Sequence, residues 1–315
     1  MNIKRAVQFR KHIKLSHQWQ RLRYCRACGS YTVLPEEPCS GCGSQSFVTL
    51  QEYAATLNKR LFYAEALVLA AFLGVAALAA RNFLELGIAL LGAAVVIALY
   101  VVLKKHFRSS EEIFRLQKIT ERHMPNIREG LLKDALSAGE DMKNDRHKEA
   151  YEKLREVGSL LTIEHIKNLK IMCLNQLIIR KDMELELETL LPAVYNKEFI
   201  TYLYEVSKVN KSLIRQSVLD YLLTHRLRIE QLPFGKELMS NAAVASLRMR
   251  PYIERFYPVI LDYMDSLPKE RFLRLCKLVN GATSGPLARL QQACREAAKV
   301  RYGFDPDVQA IWQEG

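Results

Sequence analysis

The chain has 315 residues, with 46 Lys/Arg against 34 Asp/Glu for a formal net charge of +12. That length has room for a small module, a pair of apolar helices and one folded helical domain. HExxH, a Walker-type phosphate loop and GxGxxG are all absent, so zincin, P-loop and dinucleotide chemistries have no support in the sequence.

The first predicted element is a basic arm, residues 1–23. Lys4, Arg5, Arg10, Lys11, Lys14, Arg21 and Arg23 occur there with no acid and are interleaved with Val7, Phe9, Ile13, Leu15, Trp19 and Leu22. The leading expectation is contact with an anionic lipid surface. Nucleic-acid phosphate, with Trp19 available for stacking, is a second reading. A short helix packed on the neighbouring module is a third.

Residues 24–50 form the second element. Cys25-Arg-Ala-Cys28-Gly and Cys39-Ser-Gly-Cys42-Gly are two CxxCG turns with ten residues between them. Each CxxC bends the chain so that two thiolates reach one metal, and two such turns supply four sulfur ligands for a closed tetrahedral site. Gly29 and Gly43 stand where such a turn needs a residue that tolerates positive φ. A disulfide pair, a redox CxxC and a rubredoxin-type iron centre use related spacings, and structural Zn²⁺ is the reading carried forward. The stretch from Tyr24 to Phe47 resembles the zinc-ribbon modules found in many protein families. The resemblance implies a fold and one structural Zn²⁺ held by Cys25, Cys28, Cys39 and Cys42, and it implies no activity.

Two apolar runs follow, residues 61–80 and 83–103. Each is long enough, as a helix, to match a bilayer of about 30 Å. Arg81 and Asn82 alone separate them, so a two-helix transmembrane hairpin is expected. Residues 1–60 hold ten Lys/Arg and three acids, and Lys104, Lys105 and Arg108 follow the second run. Positive residues stay inside, so the expected placement is an integral membrane protein with two spans and both termini cytoplasmic. A thiolate metal site suits the same reducing compartment. Glu65 and Glu85 lie near the predicted helix starts and read as interfacial acids rather than proton relays.

From residue 109 to 315 the pattern is helical. Ser109 or Ser110 caps a first helix that Met124-Pro125 should interrupt. Amphipathic helices are then predicted near 129–141, 146–159, 163–179, 182–191, 197–208, 211–226, 236–247, 251–265, 269–279 and 286–301. Residues 131–157 and 166–192 align as two copies of a helical hairpin, with a third pair from Phe199 to Leu227. Within the first copy, Gly139 to Leu154 resembles a tetratricopeptide unit, which implies stacked helical pairs with a protein-binding surface. Cys173, Cys276 and Cys294 sit beside apolar neighbours and read as core. Gly281 to Gly285 reads as a turn between helices, and Glu184, Glu186 and Glu188 as a solvated face.

The expected fold class is therefore mainly α: a four-cysteine zinc ribbon, a transmembrane hairpin and a helical repeat-like cytoplasmic domain. The expected function is a membrane-anchored adaptor or scaffold that binds a protein partner through the helical domain. A membrane-tethered nucleic-acid-binding regulator and an enzyme of the helical domain are the alternatives. No catalytic or organic-cofactor residue is assigned.

Overall fold

The computed structural model describes residues 4–10, 18–78 and 83–313. They form a mainly helical chain with one three-stranded sheet, divided into two compact units. The ribbon unit comprises residues 13–141 and 153–162, and the helical unit residues 1–12, 142–152 and 163–315.

In the ribbon unit, β1 (Arg23–Cys25) lies between β2 (Tyr31–Thr32) and β3 (Phe47–Thr49). Both pairings are antiparallel, with Tyr24 opposite Tyr31 on one side and Val48 on the other. Such short strands cannot hold a sheet alone. The sheet is extended by α1 (Leu50–Leu78), which follows β3 with no intervening loop. A capping box makes this junction: Glu52 N–H donates to Thr49 Oγ1 at 3.0 Å, and Thr49 N–H donates to Glu52 Oε2 at 3.1 Å. Two N–H groups that a helix start leaves orphaned are thereby satisfied. Leu22, Leu50 and Ala54 are buried at the same junction.

The second long helix, α2 (Phe83–Lys143), runs unbroken through Pro125, where an interruption was expected. Pro125 removes one intrahelical bond, that to the carbonyl of Glu121. Glu121 is exposed, so water can take the bond's place and the helix continues.

The membrane hairpin is not supported. Among the described residues no helix is long and apolar enough to cross a membrane. The apolar runs are parts of longer helices whose ends are polar. The helix α1 starts at Leu50 and passes Gln51 and Glu52 before its apolar stretch, and α2 continues forty residues past Leu103 to Lys143. The expected two-span integral placement, with both termini cytoplasmic, falls with this finding. The predicted turn at Arg81 and Asn82 and the side chains of Glu65 and Glu85 lie outside the described residues. Both helices do carry exposed apolar side chains, among them Leu67, Val75, Leu91 and Leu99.

In the helical unit, α3 (His147–Gly158), whose second half belongs to the ribbon unit, leads to α4 (Glu164–Asn175). Then come α5 (Lys197–Val209), α6 (Gln216–Thr224), α7 (Arg226–Glu230), α8 (Gly235–Ser246), α9 (Arg250–Asp262), α10 (Lys269–Val279), α11 (Gly285–Tyr302) and α12 (Pro306–Gln313). Packing is largely sequential: α4 on α5, α5 on α8, α8 on α9, α9 on α11 and α10 on α11. Phe199, Tyr202, Leu203, Leu238, Phe256, Phe272 and Leu275 are fully buried in these interfaces. The helix expected over 182–191 is absent, apart from a single 3₁₀ turn at Glu188–Leu190. Its Glu-Leu alternation has period two, so the chain runs irregularly from Gln176 to Asn196 and buries Leu187. The aligned second hairpin copy therefore lacks its second helix. The helix α12 was not anticipated, and Pro258 neither splits nor ends α9.

Asn196 closes the irregular stretch. Its side-chain oxygen caps α5 at Phe199 N–H (3.1 Å), its amide nitrogen reaches Asn168 Oδ1 (2.7 Å), and its backbone N–H donates to Tyr221 Oη (2.9 Å). Asn196→Ala removes the two side-chain bonds. It is expected to lower the unfolding free energy by about 1–2 kcal/mol, read as a lower urea midpoint at unchanged slope.

Candidate metal centre

The two CxxCG turns fold alike, because each closes on the same pair of backbone bonds. Gly29 N–H donates to Cys25 O and Gly43 N–H to Cys39 O, at 2.9 and 2.8 Å. Cys25 N–H donates to Ser30 O and Cys39 N–H to Ser44 O, both at 2.9 Å. The fourth residue after each first cysteine must turn left-handed to close this loop. Gly29 and Gly43 do so, with φ of 79° and 71°, at no steric cost.

The turns bring Cys25, Cys28, Cys39 and Cys42 together, with all four sulfurs within 4.8 Å of one another. Cys25 Sγ stands 3.7 Å from Cys42 Sγ, and Cys28 Sγ stands 3.5 Å from Cys39 Sγ. A tetrahedron with metal–sulfur bonds of about 2.3 Å has edges of about 3.8 Å, so the donor set fits a single ion. The spacings are too long for disulfides, and all seven cysteines are free thiols. The first cysteine of each turn is buried and the second exposed. Among the described residues no other His, Cys, Asp or Glu group gathers in this way.

Donors favour the thiolate form at Cys28. At Cys42 the Ser44 N–H is outweighed, and Cys28, burial and the other sulfurs raise that thiol to about 12. Ser30 hydrogen-bonds Cys28 Sγ at 3.1 Å. Its hydroxyl first, and its backbone N–H second, lower the Cys28 thiol to about 6. Lys133 on α2 adds a cation. Its ammonium is held charged mainly by Glu129, one turn earlier, and further by the charges of Cys28 and Cys39.

What seats the ribbon on α2 was not anticipated from sequence. Ile127, Gly130, Leu131, Asp134, Ala135, Ala138 and Asp141 are buried along one stripe of that helix. Gly130 lies so close to the ribbon that an added Cβ would stand 2.0 Å from the carbonyl oxygen of Tyr31. One turn on, Asp134 accepts from Thr32 Oγ1 at 2.9 Å and from Val33 N–H at 2.9 Å, while Thr32 Oγ1 accepts from Leu34 N–H at 3.0 Å. A further turn on, the Lys153 ammonium joins Glu37 of the ribbon at 2.5 Å to Ser137 at 3.0 Å and Asp141 at 2.6 Å. Arg21 pairs with Glu156 beside them. The helical spacing of four and seven residues between Gly130, Asp134 and Asp141 is the one sequence signal that could have found this stripe. Nothing in the sequence identified its partner.

The remaining predicted features fall elsewhere. Cys173, Cys276 and Cys294 are buried in the helical unit. The thiols of Cys276 on α10 and Cys294 on α11 influence each other, lowering the first and raising the second, a pairing that sequence spacing concealed. Gly281 and Gly285 make the α10–α11 turn with positive φ. Glu186 and Glu188 are tied to Lys170 and Arg215 rather than simply solvated.

Comparison of the chain with known protein families, with curated proteins and with solved structures finds no match to any of them.

Burial raises the Asp134 carboxyl to about 6, with Glu37 adding to the rise, while Val33 N–H, Thr32 and Lys153 oppose it. In an unfolded chain this carboxyl titrates near its ordinary value of 3.8. Between those values the folded protein holds a proton that the unfolded chain has lost. The contribution is therefore fully present below about pH 4 and disappears as pH rises through about 6. Asp134→Asn cannot titrate. As pH falls from 7.5 to 4.5, wild type should gain stability relative to this variant by about 2 kcal/mol, measured by urea unfolding of both proteins at each pH. A constant difference would contradict the raised carboxyl.

Proposed function

We propose that the chain is a non-catalytic adaptor in which a structural Zn²⁺ stabilises the ribbon and the helical unit binds a protein partner. Four thiolates in tetrahedral array form a closed site with no position for substrate, which suits a structural rather than a catalytic ion. The ribbon is small, so metal binding supplies much of its folding free energy.

The observation that carries the binding role is a half-exposed ring pair on the helical unit. Tyr204 of α5 stacks on Phe234 with centroids 4.6 Å apart and an interplanar angle of 18°. The Lys208 ammonium stands 4.0 Å from the Tyr204 ring centroid, and the Tyr204 hydroxyl donates to Glu237 Oε2 at 2.5 Å. The rings are thus held in place before any partner arrives, which lowers the ordering cost of binding. Aromatic side chains with a polar tip are the commonest binding hot spots. Among the other rings of α5 and α9, Phe199, Tyr202 and Phe256 are buried core, while Tyr252 and Tyr257 are half-buried. In the nucleic-acid alternative, phosphate would have to displace Glu205, Asp145 and Glu152 from Lys4, Arg5 and Arg10 of the arm.

Two measurements test this reading. Native mass spectrometry of the full chain should give one zinc per chain, lost in Cys39→Ser, with no visible absorption. A coloured, iron-loaded protein would overturn the zinc assignment. Affinity purification with the full chain as bait should retain a defined protein, and Tyr204→Ala should reduce retention at least tenfold while shifting the melting temperature little. Turnover of a metabolite by a chain that retains no partner would overturn the adaptor.

A further inference from the structure

The basic arm divides: residues 18–21 form a 3₁₀ turn and Arg23 opens β1, both within the ribbon unit. Residues 4–10 are extended and lie on the helical unit. Arg5 forms a parallel bridge with Leu177: its N–H donates to Gln176 O at 3.3 Å and its carbonyl accepts from Ile178 N–H at 3.0 Å. These are the backbone bonds of a strand added to an open edge, the way extended peptides are recognised by folded domains. The stretch after α4 supplies that edge because α4 ends at Asn175, short of the helix expected over 163–179.

Side chains set the register. Lys4 pairs with Glu205 of α5 at 3.5 Å. Arg5 pairs with the carboxylate of Asp145 and donates to its carbonyl at 3.2 Å. Arg10 donates its backbone N–H to Glu152 Oε1 at 2.9 Å, with its guanidinium 3.5 Å from Oε2. Between these charges Val7 and Phe9, two residues apart and so on one face of an extended chain, are half-buried. The Phe9 ring lies 4.7 Å from that of Tyr151. Asp145 is held in a left-handed turn, φ 59°, and His147 Nε2 lies 3.0 Å from its carboxylate. The groove is therefore acidic at three points, apolar at one, and offers a backbone edge between them.

We propose that this groove is a peptide-binding site, occupied in cis by residues 4–10. In trans it accepts an extended basic segment of a partner protein with an aromatic residue four positions after an arginine. The inference rests on the adaptor reading and names the chemistry of the partner. The cis contacts suit an exchangeable occupant. Arg5 and Arg10 remain more than 60% exposed in their ion pairs, and such pairs hold weakly. The two-bond bridge at Arg5 and the Arg10 N–H bond to Glu152 fix the backbone. Glu205 also pairs with Lys208 at 3.2 Å, which links the groove to the Tyr204–Phe234 rings. A partner seated in the groove thus reaches the ring pair as it continues along the surface.

The test uses the full chain and a fluorescent peptide with the sequence of residues 1–12. In the doubly substituted chain, Arg5→Glu with Phe9→Ala, the arm no longer competes while the groove is intact. That chain should bind the peptide at least tenfold more tightly than wild type. Binding should weaken with added salt, and adding Glu152→Lys should abolish it. Equal or absent binding by wild type and the double variant overturns the proposal. A second measurement needs no substitution and covers the case in which the double variant unfolds. Excess free peptide should speed amide hydrogen exchange of the chain's own residues 4–10 while Ile178 stays protected. Unchanged exchange makes the arm a permanent structural strap and overturns the proposal. Peptide binding by a chain that retains no partner protein would remove the adaptor reading and leave the groove. Retention of a partner through Tyr204, without peptide binding, would do the reverse.

Discussion

The ribbon unit depends on the seating of β2 against α2 by Gly130 and Asp134. Backbone meets backbone at Gly130, where no side chain fits beneath the Tyr31 carbonyl. One turn later a buried carboxylate takes the Thr32 hydroxyl and the Val33 N–H, two groups that would otherwise be buried without partners. Leaving them unpaired would cost about 1–3 kcal/mol each. The ribbon is therefore more than a metal knuckle on a flexible chain. Its strands end on a helix that supplies hydrogen bonds a sheet of three short strands cannot supply for itself.

That seating also explains the chemistry of the metal centre. Fixing β2 on one side and joining β3 to α1 through the Thr49–Glu52 box on the other holds the two cysteine turns face to face. The four cysteines are thereby gathered as a set that could hold a metal, with Ser30 lowering the Cys28 thiol. A metal held by the four cysteines would act on the same small sheet as the α2 clamp, so loss of either should loosen the other. Lys153 extends the arrangement by joining Glu37 of the ribbon to Asp141 of α2.

The helical unit is organised by a break in its helices. Between α4 and α5 the chain abandons the helical period, buries Leu187 and exposes a backbone edge at Leu177 and Ile178. Asn196 restores the helix through three hydrogen bonds. A regular stack of hairpins would have satisfied all those backbone groups internally and left nothing for an extended segment to pair with. The departure from repeat geometry is thus what creates a place for residues 4–10, with Asp145, Glu152 and Glu205 supplying the complementary charge.

The sequence by itself determined what depends on short-range spacing. The four ligands and the two glycines of the cysteine turns were readable because a CxxCG turn closes on its own backbone. Helices such as α5, α10 and α11 were readable because their apolar residues recur at the helical period. Long-range partners decided the rest. Asp134 and Asp141 resemble solvated helix acids until Thr32, Val33 and Lys153 are brought to them, and Gly130 is unremarkable until the Tyr31 carbonyl arrives. Pro125 reads as a breaker, yet helix on both sides and an exposed Glu121 carry α2 past it. The apolar runs at 61–80 and 83–103 read as bounded spans, because a hydropathy window cannot see that each helix continues into polar sequence at one end. The arm reads as a free cationic surface, because its acidic partners lie far away along the chain and only the fold brings them together.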